Sequence, residues 1–175
     1  ARDFGARFNH LYGQAYFTLP EAAIEESVAT LPGLDGRKMS KSYDNTIALF
    51  ADAATLKKQI MGLLTDSKAP GEPKDTEGSA LFQLYQAFAT PAQTAAMRSA
   101  FAEGIAWGDA KQQLFAVIDA EIAPMRERYN ALMADPARIE SILQAGAVKA
   151  RAIATPLLRE LRQAVGLRNL GSVSP

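Results

Sequence analysis

Leu31-Pro32-Gly33-Leu34-Asp35-Gly36-Arg37-Lys38-Met39-Ser40-Lys41-Ser42 is the stretch on which the reading of this chain turns. Lys38 and Lys41 are interleaved with the hydroxyls of Ser40 and Ser42, and Arg37 stands just before them. Gly33 and Gly36 lie upstream, and Tyr43-Asp44-Asn45 follow. The segment reads as a mobile, polar, locally cationic loop. Lysine ammoniums act as point charges on phosphate oxygens, and hydroxyls with free backbone N–H groups add further donors. A site in which negative charge builds on a departing pyrophosphate needs such a set. A short basic run alone is usually a solvated turn. The full ordered string with its flanking glycines is what favours phosphate chemistry.

Composition sets the frame around that loop. The 175 residues carry 19 Lys+Arg against 19 Asp+Glu, so the formal net charge is zero. Bulk electrostatics therefore predict no nucleic-acid partner, and any such contact has to come from local patches. A hydrophobic content of 48% argues for a folded chain. The length suits one domain or one and a half. The absence of cysteine excludes disulfides and thiolate metal sites and leaves the redox compartment open. With one histidine, no metal site is expected. No stretch approaches the ~18 apolar residues of a membrane-spanning helix, and Ala1-Arg2-Asp3-Phe4 opens no signal-peptide core.

Hydrophobic spacing predicts a mainly α chain. A short helix over 2–12 carries Phe4, Phe8, Leu11 and Tyr12 on one stripe and stops at Gly13. Phe17–Leu19 is expected as a short strand, and 46–50 (Thr-Ile-Ala-Leu-Phe) as a last strand or an extended connector. Asp52 caps a helix over 53–64 with Leu56, Ile60, Leu63 and Leu64 inward. Residues 65–78, rich in Pro, Gly and charge, read as the longest disordered linker. Ser79 then caps 80–89, with Leu81, Leu84, Tyr85 and Phe88 on one face, and Thr90-Pro91 starts a helix through Met97 and Phe101 to Gly104. Asp109 is expected to cap a helix to about 133 with Leu114, Val117, Ile118, Ile122, Met125, Tyr129 and Met133 inward and a kink at Pro124. A short helix from Asp135-Pro136 and a last one over 145–165 follow. Ile153, Leu157, Leu161 and Val165 form the stripe of that last helix, Pro156 interrupts it and Gly166 ends it.

The five residues from Lys38 to Ser42 resemble the KMSKS signature of class I aminoacyl-tRNA synthetases. Arg2-Asp3 with Arg7-Phe8-Asn9, then Thr65-Asp66-Ser67, narrow the likeness to the tryptophanyl-tRNA synthetase family. Gly104 to Lys111 is similar to that family's Gly-x-Gly-Tyr-Gly-x-Phe-Lys stretch, with Trp107 in place of Tyr and Ala110 in place of Phe. The segments 123–129 (Ala-Pro-Met-Arg-Glu-Arg-Tyr) and Gly146-Ala147, with Ala150 and Arg151, resemble its C-terminal helices. The likeness runs from residue 2 to about 168. No HIGH or T-x-G-N signature precedes the loop; His10-Leu11-Tyr12-Gly13 has the wrong residues, and the Gly-x-Asp-Gln segment is absent.

The resemblance implies the C-terminal portion of such an enzyme. Residues 1–51 would be the remnant of a Rossmann-type nucleotide-binding catalytic domain, 52–170 a helical bundle of anticodon-binding type, and 171–175 a tail. Lys38 and Lys41 would be the catalytic cations on the β- and γ-phosphates of ATP. Met39, Ser40 and Ser42 would border the nucleotide, with Mg²⁺ carried on the phosphates. The implied reaction is ATP-dependent activation of tryptophan and its transfer to tRNA(Trp). The tryptophan pocket would lie in a half that this sequence does not contain, so the chain alone is expected to be inactive. A cytoplasmic homodimer is implied for the intact protein. A tyrosyl-tRNA synthetase relative and a non-catalytic tRNA-binding helical module are the alternatives.

For tRNA, the stretch 145–175 has five basic residues (Lys149, Arg151, Arg159, Arg162, Arg168) and one acidic, Glu160. A basic helix can contact phosphates. Trp107 could offer a face to an unstacked base, with Lys111 beside it, although a lone Trp is more often core and terminal arginines are more often solvated. His10 reads as a half-buried helix residue, Asp66 as a turn residue, and Glu25-Glu26 as surface.

Overall fold

The computed structural model describes residues 1–25 and 28–167. Glu26, Arg168 and the tail 171–175 lie outside the described residues. Among the described residues six α-helices follow in order: α1 Arg2–Tyr12, α2 Ala53–Met61, α3 Ala80–Phe88, α4 Pro91–Ala102, α5 Trp107–Met133 and α6 Pro136–Ala164. The chain divides into two compact units. Ala1–Ala23 with the segment from Asp135 onward makes one, and Ile24–Ala134 makes the other.

The Ile24–Ala134 unit holds the core. In it α2 and α3 both pack on α5, and α3 also packs on α4. Leu56 and Ile60 of α2, Leu81, Leu84 and Tyr85 of α3, Met97 and Phe101 of α4, and Leu114, Ile118 and Ile122 of α5 are buried together. Each fully buried aliphatic or aromatic side chain of this kind contributes roughly 1.5–3 kcal/mol. The helix starts follow from side-chain caps. Asp52 accepts the Thr55 N–H, Ser79 accepts that of Phe82, and Thr90 forms a reciprocal capping box with Gln93.

Several expectations are corrected. Among the described residues no strand forms; the only pairing of that kind is an isolated antiparallel bridge between Pro32 and Lys38. Phe17 has no ladder neighbour because a side chain already satisfies its backbone. The Asn9 amide donates to Phe17 O at 2.8 Å and accepts from Phe17 N at 2.9 Å. Residues 46–50 instead run into a turn, with Ala51 N bonded to Ala48 O, and send Ile47 and Phe50 against the core. A Rossmann-type remnant therefore has no strand to rest on within the described residues. The helix α2 stops at Met61, which leaves Leu64 exposed. The helix α5 begins at Trp107, so Asp109 sits inside its first turn, where its charge suits the helix dipole, and does not cap it. The two helices expected after Asp135 are one. Gly146 is a single interior glycine, which costs only about 1 kcal/mol, and α6 also continues across Pro156.

The 65–78 segment is built, not disordered. Lys74 is 5% exposed, and its ammonium donates to Ala69 O and Glu72 O, both at 3.0 Å. Its backbone N–H reaches Phe101 O at 2.8 Å, and Gly71 N reaches Gly104 O at 2.8 Å. Gly104 has φ +85°, and a Cβ there would collide with the Gly71–Glu72 backbone. Only glycine allows that approach.

Outside this core the apolar stripes stay uncovered. Phe4 of α1 is 83% exposed and Ile153 of α6 is 80% exposed. No residue of α6 is buried. The stripe of α5 is buried only as far as Ile122, while Met125, Tyr129 and Met133 are exposed.

Candidate functional site

The lysine loop lies within the Ile24–Ala134 unit and is closed by its own backbone. Met39 N donates to Leu31 O at 2.9 Å, Gly33 N to Arg37 O at 2.7 Å and Gly36 N to Gly33 O at 3.0 Å. Lys41–Tyr43 form one 3₁₀ turn, and Ser40 caps it by accepting the Ser42 N–H at 3.3 Å. The two serine hydroxyls bond each other at 2.8 Å. Asp44 leaves the turn in the left-handed region at φ 51°, where aspartate is tolerated better than most residues.

The three cations of the loop differ. Arg37 is committed internally: its Nε donates to Asp35 Oδ2 at 2.6 Å, and its guanidinium lies 4.7 Å from the Tyr43 ring centre. Lys38 and Lys41 are exposed, and neither ammonium has a hydrogen-bond or ion-pair partner among the described residues. Two uncommitted ammoniums on a braced loop can bind a polyanion without first breaking an internal bond. Asp35, the one carboxylate bonded to the loop cations, is held below its ordinary value first by the Asn45 amide and then by Arg37. It therefore stays ionised and keeps Arg37 occupied.

Beneath the loop, Met39 is half-buried with Leu31 and Leu34 against the helical core. It lines a small apolar cavity of about 150 Å³ with Ile47, Leu56 and Leu84. The structure thus places Met39 as an anchor and Ser40 as a turn cap, while Lys38 and Lys41 reach solvent. Leu64 N donates to Leu34 O at 3.0 Å, which ties the loop to the chain leaving α2.

The residues expected to face tRNA fall into two groups. Trp107 and Lys111 are engaged inside the fold. The Trp107 Nε1 donates to Asp66 Oδ1 at 3.0 Å, its ring packs edge-on against Phe101, and the Lys74 ammonium lies 5.3 Å from its ring centre. Lys111 Nζ donates to Met61 O at 3.1 Å, satisfying a carbonyl at the end of α2, and burial lowers its pKa. Lys149 and Arg151 are exposed on α6. His10 is exposed in the last turn of α1, against the half-buried position expected for it. Asp66, expected at a helix C-terminal turn, lies instead in the irregular segment beyond the turn that ends α2, and besides Trp107 its side chain accepts from the Lys68 N–H at 2.9 Å. Two residues escaped the sequence reading: Asn45, a polar side chain only 3% exposed, and Lys74. A buried Asn in a polar stretch leaves no periodic signal; only its place directly behind the lysine string marked it.

Comparison with known proteins bears on this loop. The family model for tRNA synthetases class I (W and Y) matches residues 1–122. A tryptophan–tRNA ligase of Xanthomonas campestris pv. campestris is 69% identical over 98% of this chain, which spans 40% of that relative. The ligase of Pseudomonas aeruginosa is 63% identical over 97% of the chain and 38% of its own length. Among solved structures, the tryptophanyl-tRNA synthetase of Campylobacter jejuni complexed with ADP and tryptophan superposes with a TM-score of 0.75 at 38% identity. That match covers 95% of this chain and 52% of that one. The chain thus spans about two fifths of the length of these curated relatives, and it belongs to the class I tRNA synthetases of the tryptophan and tyrosine type.

Proposed function

We propose that this chain is the part of a tryptophan–tRNA ligase that handles the ATP phosphates. The observation that carries the reading is the pair of free ammoniums, Lys38 and Lys41, on a loop whose other polar groups are already bonded to one another. In the intact enzyme the tryptophan carboxylate attacks the α-phosphate, so no side-chain nucleophile is required. Lys38 and Lys41 hold the β- and γ-phosphates and neutralise charge as pyrophosphate leaves. Ser40, Ser42 and Met39 shape the loop that closes over the nucleotide. Among the described residues no group of three or more His, Asp or Glu could hold a metal. In this reading Mg²⁺ is carried on the ATP phosphates.

The tryptophanyl group of the adenylate is then transferred to the 3′-terminal hydroxyl of tRNA(Trp) and AMP leaves, with residues 1–51 serving the nucleotide and 52–170 the tRNA. The assignment of residues 1–51 to a Rossmann-type remnant rests on the lysine loop and the family likeness. Of the tRNA candidates, Lys149 and Arg151 are available on the surface, whereas Trp107 and Lys111 have structural partners. A cytoplasmic homodimer belongs to the same reading. No described helix is long and apolar enough to cross a membrane. The tyrosine relative is disfavoured because the similar curated relatives named above are tryptophan ligases.

The test is pyrophosphate exchange by the intact enzyme. Replacing Lys41 by Ala is expected to slow tryptophan-dependent exchange by about 10²–10³, as for other single transition-state donors. A rate within threefold of the parent would overturn the assignment. The 175 residues alone, which contain neither H-x-G-H nor T-x-G-N ahead of the loop, are expected to give no exchange. Measurable exchange by the pure chain would refute that.

A further inference from the structure

We propose that Asn45 is the positioning residue of the lysine loop, setting the backbone from which Lys38 and Lys41 project; the inference rests on the phosphate-handling reading above. Asn45 is 3% exposed. Its carboxamide is used from both sides. Oδ1 accepts the Ser40 N–H at 2.8 Å, and Nδ2 donates to Lys38 O at 3.2 Å and to Asp35 Oδ1 at 2.7 Å. Its backbone carbonyl also accepts the Leu34 N–H at 3.0 Å. One side chain therefore bonds the backbone on both sides of Met39 and holds the turn at Asp35, the carboxylate that occupies Arg37.

The neighbours are shaped to this role. A Cβ at Gly33 would collide with the Asn45 carboxamide and its backbone carbonyl, so the bare glycine is what lets the amide sit inside the loop. Met39 lies between the two bonded backbone groups and packs on the core, while Lys38 and Lys41 on either side of this pair are exposed. Few side chains can reproduce the set. Aspartate offers no donor for Lys38 O and sets a second carboxylate against Asp35, and alanine leaves the Ser40 N–H without its acceptor. Asn45 touches no phosphate in this scheme. It acts by keeping the two ammoniums at the spacing the polyphosphate requires, and an error of about 1 Å in such placement can cost about 10²-fold.

The experiment has two arms. In the first, amide hydrogen exchange of the 175-residue chain is compared between parent and Asn45→Ala. The Ser40 amide is expected to lose protection while the amides of α3 and α5 keep theirs. Unchanged protection at Ser40, or equal loss throughout the unit, would overturn the positioning role. In the second, a double-mutant cycle is run in the intact enzyme with Asn45→Ala and Lys38→Ala. Asn45→Ala is expected to lower kcat for pyrophosphate exchange by about 10–100-fold with the KM for tryptophan unchanged. In the Lys38→Ala background it should cost less than in the parent, because only Lys41 is then left to misplace. An equal loss in both backgrounds would mark a general structural effect and overturn the proposal. Asp35→Ala, at a less buried position, removes one anchor of the same amide and should give a smaller loss with the same dependence on Lys38. An inactive parent enzyme would overturn the functional reading, while the exchange arm would still decide whether Asn45 holds the loop.

Discussion

The indole N–H of Trp107 donates to Asp66 Oδ1 at 3.0 Å, which joins the start of α5 to the irregular segment after α2 across 41 residues of sequence. The same ring meets Phe101 edge-on and lies under the Lys74 ammonium. An indole used on its edge and on one face is a clamp of the fold before it is anything else. Trp107→Phe keeps most of the packing and loses the hydrogen bond to a carboxylate. Because the bond is solvent-exposed, the change should lower stability by about 0.5–1.5 kcal/mol. Trp107→Ala should cost more, about 3–5 kcal/mol. Urea unfolding followed by far-UV circular dichroism checks both, and a Trp107→Phe midpoint equal to the parent would remove the clamp from the account.

Lys74 extends the clamp. Its ammonium holds Ala69 O and Glu72 O, and its backbone is pinned to Phe101 O. Lys74→Ala leaves two carbonyls in a half-dry loop without their donor. The expected loss is about 2–4 kcal/mol, from hydrogen bonds to a charged group plus lost packing over the indole. The effect should be subadditive with Trp107→Ala, because the two residues share one contact. Strict additivity in thermal unfolding would show that the ring and the ammonium act independently.

These two residues also mark what the sequence could and could not disclose. Caps and breakers act within four residues, so Asp52, Ser79, Thr90-Pro91 and Gly13 announced their helix ends correctly. The stripe from Leu114 to Ile122 was equally readable, because burial there follows helical period. The 65–78 segment was misread for a physical reason. Its order comes from contacts between residues far apart in sequence, Gly71 with Gly104 and Lys74 with Phe101, which composition cannot register. Periodicity misled in the other direction along α6, where Ile153 belongs to a regular stripe but stays exposed. The lysine string identified the loop; nothing in the string alone identified Asn45 as the side chain that organises it.

Acid should weaken the start of α2 in a defined direction. The Asp52 carboxylate lies below its ordinary value of 3.8 because the Thr55 hydroxyl and then the Thr55 N–H bond its ionised form. The folded state thus holds the proton more weakly than the unfolded one. The stabilisation is complete above the unfolded carboxylate pKa and is lost as pH falls through the depressed folded value. Asn is as good a helix cap as Asp near neutrality. Asp52→Asn should therefore keep neutral-pH stability and flatten the acid limb of the stability curve. An acid limb identical to that of the parent would show that Asp52 contributes nothing to it.

The exposed cations of α6 give the last expectation. Lys149 and Arg151 are solvent-accessible, while Lys111 donates to Met61 O. If the basic side chains of α6 contact tRNA phosphates, each contact releases counterions and steepens the salt dependence of binding. Replacing Lys149 and Arg151 together by Ala should weaken tRNA binding by the intact enzyme and reduce the slope of log K against log salt by about 2, with the unfolding midpoint unchanged. Lys111→Ala should do the reverse, lowering the midpoint by removing a donor from the end of α2 while leaving the salt slope as it was. Filter binding across a salt series, paired with thermal unfolding of the same variants, separates the two. A salt slope unchanged in the Lys149–Arg151 double variant would take α6 out of the tRNA interface, and a reduced slope in Lys111→Ala would put α5 into it.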